Sequence, residues 1–385
     1  MAEIKNGLSI EFVSHPGDTL LELIERNGIS QKELAAKTEV SEHHINEVIN
    51  GKKSITVSFA KKLETVLQPK ASFWINRQTI YDEKIESIRI VENISEEEKE
   101  IYKEFPIKQL VEFGYIKESR NVVENILNLR KFASTSNLLA VPYVLNVILP
   151  SFCFKSDKST NKINPYYLYS WLRLCQIETE NIHNPNQFNE KLLKEKLSSI
   201  KRCTLEKDIN IAYEKIINIL YECGINFAIV KNIQSLPVQG YIKTVGNNVS
   251  LCVTIKWHQE DAFWFALFHE LGHLLQKRND RAFIDFDDKE DDANRFAENC
   301  LIAPSSWKKL VSKPISERTI LICSNENGVC PAIVVGRLKK EKIIPQNHFT
   351  NYQRKIMWNN KTYEKYIKKI NQSDCKLTEK KRRRN

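Results

Sequence analysis

The sequence predicts an α+β fold that is predominantly helical and contains one small β-sheet. Apolar residues recur at helical spacing through most of the 385 residues. Short β-rich runs occur at 225–230, 238–244 and 249–255, separated by Gly240 and by the turn residues 246–248. A helical segment that is apolar on nearly every side, residues 259–277, follows them directly. A chain of this length has room for two or three domains.

Charge is distributed unevenly along the chain. The net charge is +10, yet residues 1–84 hold 11 Lys and Arg against 12 Asp and Glu, a net charge of −1. Residues 305–385 hold 20 Lys and Arg against 6 Asp and Glu, a net charge of +14. The basic surface is therefore predicted at the C-terminal end. The block 380–384 fits a solvated tail and a nucleic-acid-binding arm equally well.

The composition favours a cytoplasmic protein. The N-terminus lacks the pattern of a secretory signal, and the longest apolar stretch, 138–149, is interrupted by Pro142 and Asn146 and is too short for a bilayer. The nine cysteines are widely spaced without a C-x-x-C motif. This pattern argues against a disulfide scaffold and for a reducing compartment without membrane partners.

Four short helices are predicted near the N-terminus, over 18–27, 31–37, 42–50 and 57–67. Ser30 and Glu33 have the spacing of a capping box, and Ser41 is a second N-cap. The three-residue turn 38–40 separates the second and third of these helices. This arrangement matches a helix-turn-helix, whose second helix enters the DNA major groove.

Residues 13–83 resemble the HigA-type antitoxins, a branch of the Xre/Cro-like helix-turn-helix family. The matching residues are His15-Pro16-Gly17, Ser30-Gln31, Leu34-Ala35, Ile45-Asn46, Asn50-Gly51-Lys52, Phe73-Trp74 and Tyr81-Asp82. The resemblance implies DNA as a partner, the chain's own promoter above all, and a place in a toxin–antitoxin operon.

By position, the resemblance assigns DNA contacts to two groups of residues. Those expected at phosphates are Gln31, Lys52 and Lys53, and those expected at base edges are His43, His44 and Asn46. The chain departs from the family at Glu39, where a glycine is usual, and at Glu42 and Glu47, where basic residues are frequent. An alternative therefore stays open, in which the domain has the helix-turn-helix fold but binds no operator DNA. A homodimer could supply the missing positive charge.

A metal site is predicted on the apolar helix 259–277. His269, Glu270 and His273 form H-E-x-x-H, which places both imidazoles on one helix face and a carboxylate beside them. Two histidines suit Zn²⁺ and other divalent ions, and the helical motif favours zinc. Glu270 is then the catalytic general base, because it can take a proton from the attacking water. His258 and Tyr241 are candidates for stabilising the oxyanion.

The segment downstream strengthens this prediction. HELGH followed by E-x-x-A-x-x-F-A resembles the ImmA/IrrE family of zinc metallopeptidases over residues 210–304. The resemblance implies a zincin-like domain in which Glu290 is the third zinc ligand and Asn294 supports a ligand by hydrogen bonding. On spacing alone, four neighbouring acidic residues remain rivals: Asp287, Asp288, Asp291 and Asp292.

The predicted organisation has four parts: a DNA-binding helix-turn-helix domain (1–84), a helical connector (85–200), a zinc peptidase-like domain (201–310) and a basic helical region with a tail (311–385). The predicted function is a DNA-binding regulator with a zinc-dependent endopeptidase that cuts a regulatory partner, such as a repressor or a toxin–antitoxin protein. The alternative is a non-catalytic antitoxin or repressor whose zinc domain only senses or binds a partner.

Overall fold

A computed structural model describes residues 13–148, 163–255, 259–276, 282–286 and 291–353. The chain divides into two compact units, Met1–Lys99 and Glu100–Asn385. The boundary between them falls within helix α6, Glu96–Lys103. Each unit has its own buried core, and the two are described separately.

The first unit is a bundle of short helices: α1 Pro16–Arg26, α2 Gln31–Thr38, α3 Glu42–Ile49, α4 Val57–Leu67 and α5 Ala71–Glu92. Its core is a continuous apolar cluster centred on Leu34, Ile45, Leu63 and Trp74. Gly17 lets α1 and α3 approach closely, since a Cβ there would lie 2.2 Å from the Val48 carbonyl oxygen. The four N-terminal helices agree with the sequence prediction, and the helix-turn-helix is confirmed.

Serine side chains cap the N-termini of α2 and α3. Ser30 accepts from the Glu33 backbone N–H at 3.1 Å, and Ser41 accepts from that of His44 at 3.1 Å. The predicted capping box is only half formed, because the Glu33 carboxylate pairs with Lys37 at 2.7 Å. Glu39 ends α2 with φ +53°, a left-handed conformation that glycine adopts at less cost.

The second unit is also mainly helical: α7 Ile107–Glu112, α8 Val122–Ala133, α9 Val141–Ile148, α10 Pro165–Glu180, α11 Glu190–Arg202, α12 Ile209–Glu222, α13 Glu260–Leu275, α14 Asp291–Leu301, α15 Pro304–Val311, α16 Glu317–Asn327 and α17 Pro331–Lys340. Short 3₁₀ turns lie at Leu138–Ala140, Cys203–Leu205 and Thr350–Tyr352. The described residues between 85 and 200 are mainly helical, and Trp171 is buried as a core residue.

A four-stranded mixed sheet organises this unit. Its strands are β1 Ile225–Lys231, β2 Val238–Val245, β3 Asn248–Ile255 and β4 Ala282–Phe286, in the order β1-β3-β2-β4. β1 runs parallel to β3, whereas β2 is antiparallel to both β3 and β4. The three β-rich runs of the sequence are β1 to β3. β4 was not among the predicted strands.

Helices cover both faces of the sheet. Successive side chains of a strand point to opposite faces. Tyr241 lies against Trp171 of α10, with ring centroids 6.5 Å apart, and the Trp171 indole N–H donates to Thr254 at 3.0 Å. The preceding residue, Gly240, faces α13 on the other side, where a Cβ would meet Glu270. The sheet thereby sets the position of α13.

Within the described ranges, no single helix is long and apolar enough to cross a membrane. The pair α16 and α17, bent by 114°, meets that criterion only when both helices are taken together, by length and composition.

Glu39 provides a test of the turn. We expect Glu39→Gly to raise the free energy of unfolding of the first unit by about 1 kcal/mol, because a non-glycine residue is strained in the left-handed region. Hydrogen exchange of the α2 and α4 amides in the full chain measures this change.

Glu22→Gly is the matched control, since Glu22 is exposed in the middle of α1. The same change there should lower the stability of the unit by about 0.5–1 kcal/mol, as glycine does inside helices. Equal effects at both positions would mean that the left-handed turn carries no strain.

Candidate functional site

Helix α3 presents an exposed polar surface in the first unit. His43 and Asn46 are exposed on it, and Lys52 and Lys53 are exposed in the turn that follows. Gln31, in the first turn of α2, is half-buried. His44 is half-buried as well, because its ring packs edge-on against Phe59 of α4 with centroids 5.1 Å apart. Of the three predicted base-reading residues, His43 and Asn46 are therefore the exposed ones.

Glu47 lies within ion-pair distance of two of these residues, Lys53 and His43. Its carboxylate lies 2.6 Å from the Lys53 ammonium and 3.4 Å from His43 Nε2. The hydrogen bond from Lys53 holds the pKa of the Glu47 carboxyl below its ordinary value. Positive charge that a phosphate could use is thus engaged by an acidic residue of the same surface. The sequence contained this signal, since Glu47 lies four residues after His43.

The amides of Asn46 and Asn50 form a second pair on α3. Asn50 Nδ2 donates to the Asn46 backbone carbonyl at 2.8 Å and to Asn46 Oδ1 at 3.0 Å. Sequence reasoning did not consider Asn50 as a site residue. Its spacing of four from Asn46, just before Gly51, is the local signal for such a pair.

In the second unit, α13 holds the predicted histidine pair. His269, Glu270 and His273 are 3%, 0% and 2% exposed, so these polar groups depend on protein partners. His269 Nε2 and His273 Nε2 lie 2.9 Å apart, with the rings nearly perpendicular. Two nitrogens at 2.0–2.1 Å from a tetrahedral zinc ion would be about 3.3 Å apart. The pair fits a zinc ion after the rings separate by a few tenths of an ångström.

Helix α14 orients one of these imidazoles. Asn294 Oδ1 lies 3.0 Å from His269 Nδ1, and an amide oxygen can only accept a hydrogen bond. A neutral His269 ring that donates from Nδ1 to this oxygen has its lone pair at Nε2, as a metal ligand must. Gly272 allows this approach of the two helices, because a Cβ there would lie 2.9 Å from the Phe296 ring.

Strand β2 packs directly on the Glu270 carboxyl. A Cβ on Gly240 would lie 2.1 Å from the Glu270 carboxyl carbon, so only glycine fits. Glu270 directly follows His269 in the sequence, on the helix that carries both imidazoles.

Several predicted site residues lie outside the described part of the chain: Glu290, His258, Asp287 and Asp288. The basic block 380–384 lies outside it as well. In the part of the chain that the structure describes, no group of three His, Cys, Asp or Glu side chains has metal-binding geometry.

Two candidates lie away from the histidine pair. Asp292 is 83% exposed and pairs with Arg295 at 3.3 Å. Tyr241 is buried on the α10 face of the sheet, opposite Gly240, and is therefore wrongly placed for the proposed oxyanion role. The alternation of side chains along β2 would have predicted this.

A cationic group near the histidines was missed. Lys340 of α17 places its ammonium 3.7 Å from the centroid of the Phe265 ring, and Phe265 contacts His269 with ring centroids 6.2 Å apart. Glu298 of α14 lies 3.7 Å from the same ammonium. Burial lowers the pKa of Lys340. No local pattern links α13 to α17, so only the tertiary structure shows this contact.

Comparison with known proteins bears on the first unit. A family model described as helix-turn-helix matches residues 20–72, which include α2 and α3. Virulence-associated protein I of Dichelobacter nodosus is 32% identical over 93 residues, which are 23% of this chain and 86% of that protein. The chain belongs to the helix-turn-helix family. The family match ends at residue 72, so the histidine pair lies outside this helix-turn-helix region.

Two solved structures are similar to part of this helix-turn-helix protein. An addiction module antidote protein of a HigA family from Coxiella burnetii is 29% identical, covering 21% of this chain and 90% of its own, with a TM-score of 0.20. The antitoxin HigA of Pseudomonas aeruginosa, solved with the higBA promoter, is 26% identical, covering 22% and 91%, with a TM-score of 0.21.

Asn294 provides a test of the predicted metal site. We expect Asn294→Ala to weaken zinc binding about 10- to 100-fold, because His269 loses the acceptor that fixes its tautomer. Competition with a chromophoric chelator measures the affinity. Asn299→Ala, at an exposed position of the same helix, is the matched control and should bind zinc as the wild type does. Equal affinity in both variants would contradict the orienting role.

Proposed function

We propose that this helix-turn-helix protein is a DNA-binding, antitoxin-like regulator whose second unit is a zinc-dependent endopeptidase that cuts a regulatory partner protein. The observation that carries the peptidase part is the convergence of His269 Nε2 and His273 Nε2, 2.9 Å apart, on the helix that also carries the buried Glu270. The DNA-binding part is supported by the α2–turn–α3 motif and by the family match.

The relatives suggest the partners. The Pseudomonas aeruginosa protein is an antitoxin solved with a promoter, and the Coxiella burnetii protein is an antidote of an addiction module. By analogy, we propose the chain's own promoter as the DNA and a toxin or repressor from the same operon as the protein partner. A homodimer would bring two recognition helices to a symmetric site.

For the peptidase part, His269 and His273 would hold Zn²⁺ together with Glu290, the third ligand that the resemblance to the ImmA/IrrE family implies. The zincin-like fold and the substrate class are proposed on the same ground. When bound, zinc supplies Lewis acidity at the scissile carbonyl and makes water more acidic. Glu270 takes a proton from the attacking water and delivers it to the leaving amine. Asn294, 3.0 Å from His269 Nδ1, would keep the Nε2 lone pair of that ring available to the metal.

A second candidate function rests on the burial of the site. Glu270 is fully buried and both imidazoles are at most 3% exposed, whereas a peptide substrate must reach them. A zinc domain that senses or binds a partner without cutting it agrees with this closed arrangement. The two candidates differ in whether Glu270 is needed, since a purely structural zinc site has no use for a general base.

Glu270→Gln tests the peptidase. We expect the zinc-loaded wild type to cleave at least one protein encoded beside its gene, and the variant to cut at least about 100-fold more slowly, because glutamine cannot transfer the proton. Electrophoresis and mass spectrometry of the products measure the rate, and metal analysis checks that the variant still binds zinc.

Glu326→Gln, at an exposed glutamate of α16, is the control and should cut as fast as the wild type. A chelator should stop both active proteins. If the zinc-loaded wild type cuts none of the neighbouring proteins, the peptidase proposal fails and the sensing candidate replaces it.

Glu47→Gln tests DNA binding by the recognition helix. We expect tighter binding to the chain's own promoter and a salt dependence steeper by up to about one charge, because Lys53 is released for a phosphate. Fluorescence anisotropy with promoter DNA at several salt concentrations measures both.

Glu42→Gln is the matched control, since it removes the same charge from α3 at an exposed position without releasing Lys53. It should leave the salt dependence closer to that of the wild type. If the two variants bind promoter DNA identically, α3 and Lys53 do not face the phosphates as proposed.

A further inference from the structure

A histidine, His15, caps the N-terminus of α1. Its Nδ1 accepts a hydrogen bond from the Gly17 backbone N–H at 2.9 Å. Because a backbone N–H can only donate, His15 Nδ1 must offer a lone pair, and the ring is therefore neutral with its hydrogen on Nε2. The His15 backbone N–H donates in return to the Asp18 carboxylate at 2.9 Å. Helices are more often capped by Ser, Thr, Asp or Asn, whose acceptors are not lost near neutral pH.

The His15 ring lies where three helices of the first unit meet. It is 8% exposed and packs edge-on against Tyr81 of α5, with ring centroids 4.6 Å apart. A Cβ on Gly51, which follows α3, would lie 3.6 Å from the ring. Gly17 itself lies against the Val48 carbonyl at the end of α3. The cap therefore joins the start of α1 to the end of the recognition helix.

A proton on the His15 ring is incompatible with this cap. The charged ring has a hydrogen on both nitrogens, so Nδ1 becomes a donor that faces the Gly17 N–H. Gly17 is buried, and a buried N–H without an acceptor costs about as much as a lost hydrogen bond. The new positive charge would also lie at the N-terminus of α1, where the helix dipole favours negative charge.

The surrounding groups have opposing effects on the His15 proton. Burial lowers the pKa of His15 below its ordinary value and outweighs two carboxylates that raise it, Asp18 of α1 and Asp82 of α5. The other neighbours of the ring, Tyr81 and Gly51, bring no charge. The folded unit therefore binds this proton less readily than the unfolded chain does. The stability that depends on the neutral ring is complete above a pH of about 6.5 and is lost as the pH falls below it.

We propose that His15 is a pH-sensitive cap, which holds the start of α1 against the end of α3 while it is neutral and weakens both this contact and DNA binding when it is protonated. Release of the cap is a property of the first unit alone. Only the effect on DNA rests on the proposed DNA binding by α3, whose position depends on its packing against α1. By linkage, bound DNA disfavours the proton to the same extent.

Hydrogen exchange of the full chain at about pH 8 and about pH 5.5 tests the cap, with each rate corrected for the intrinsic effect of pH. The proteins compared are the wild type, His15→Asn and His183→Asn. Asparagine caps helices well and does not titrate, so His15→Asn keeps an acceptor at every pH. His183, an exposed histidine of the second unit, is the matched control.

We expect the protection of the α1 and α3 amides to fall more on acidification in the wild type and in His183→Asn than in His15→Asn. The difference should be at least about three-fold and at most about ten-fold, because an unfolded histidine of ordinary pKa is about ten to one protonated at about pH 5.5. An equal fall in all three proteins overturns the proposal.

Nuclear magnetic resonance of wild-type protein with labelled histidines gives a readout that does not depend on how well a variant folds. The signal missing from His15→Asn belongs to His15. We expect it to titrate below a pH of about 6.5 and to show the hydrogen on Nε2 in the neutral form. A midpoint at or above that pH, or a neutral ring with its hydrogen on Nδ1, overturns the proposal.

Fluorescence anisotropy with promoter DNA at the same two pH values tests the effect on binding. His43 and His44 gain positive charge on acidification in both the wild type and His15→Asn, so the difference between these proteins isolates His15. The ratio of affinity at about pH 8 to that at about pH 5.5 should be at least about three-fold larger in the wild type.

The outcomes separate this inference from the function on which its last step rests. If the promoter is bound and the two proteins respond equally to pH, the coupling of the cap to DNA is overturned while DNA binding stands. If no protein binds the promoter at either pH, the DNA-binding proposal fails, and the exchange and titration results decide the role of the cap in the first unit.

Discussion

The close packing of α13 against its neighbours is the constraint on which the second unit depends. Three glycines permit it: Gly240 on β2, Gly272 on α13 and Gly336 on α17. A Cβ at these positions would lie 2.1 Å from Glu270, 2.9 Å from Phe296 and 2.2 Å from Asp261, respectively. Because packed interiors leave no space to absorb such overlaps, any side chain there would push α13 away from a neighbour.

This packing determines the chemistry of the histidine pair. Burial of two imidazoles and a carboxylate is costly unless each has a partner, and partners reach them only when the elements are close. Gly272 brings α14 near enough for Asn294 to orient His269, and Gly240 brings β2 onto Glu270. On the far side, Asp261 fills the space beside Gly336, and its burial raises its pKa. The site is therefore a consequence of backbone proximity as much as of the motif itself.

Local features of the sequence predicted the helix-turn-helix and the position of the histidine pair correctly. Ser30, Ser41 and the spacing of apolar residues placed the helix-turn-helix, and H-E-x-x-H placed both imidazoles on one face. Features that depend on contacts between distant segments were not predictable. Lys340 meets Phe265 across 75 residues of sequence, and β4 becomes a strand because β2 offers it an edge. A strand of five residues without regular alternation carries too weak a signal alone.

Both candidate sites use the same local geometry, a pair of side chains four residues apart on a helix. His269 and His273 converge because one helical turn separates them, and Asn46 and Asn50 meet for the same reason. The settings differ: the imidazoles are buried, whereas the amides face solvent. Because the imidazoles are buried, a ligand must enter the protein interior to reach them. Exposure leaves the Asn46 side chain accessible to an external partner.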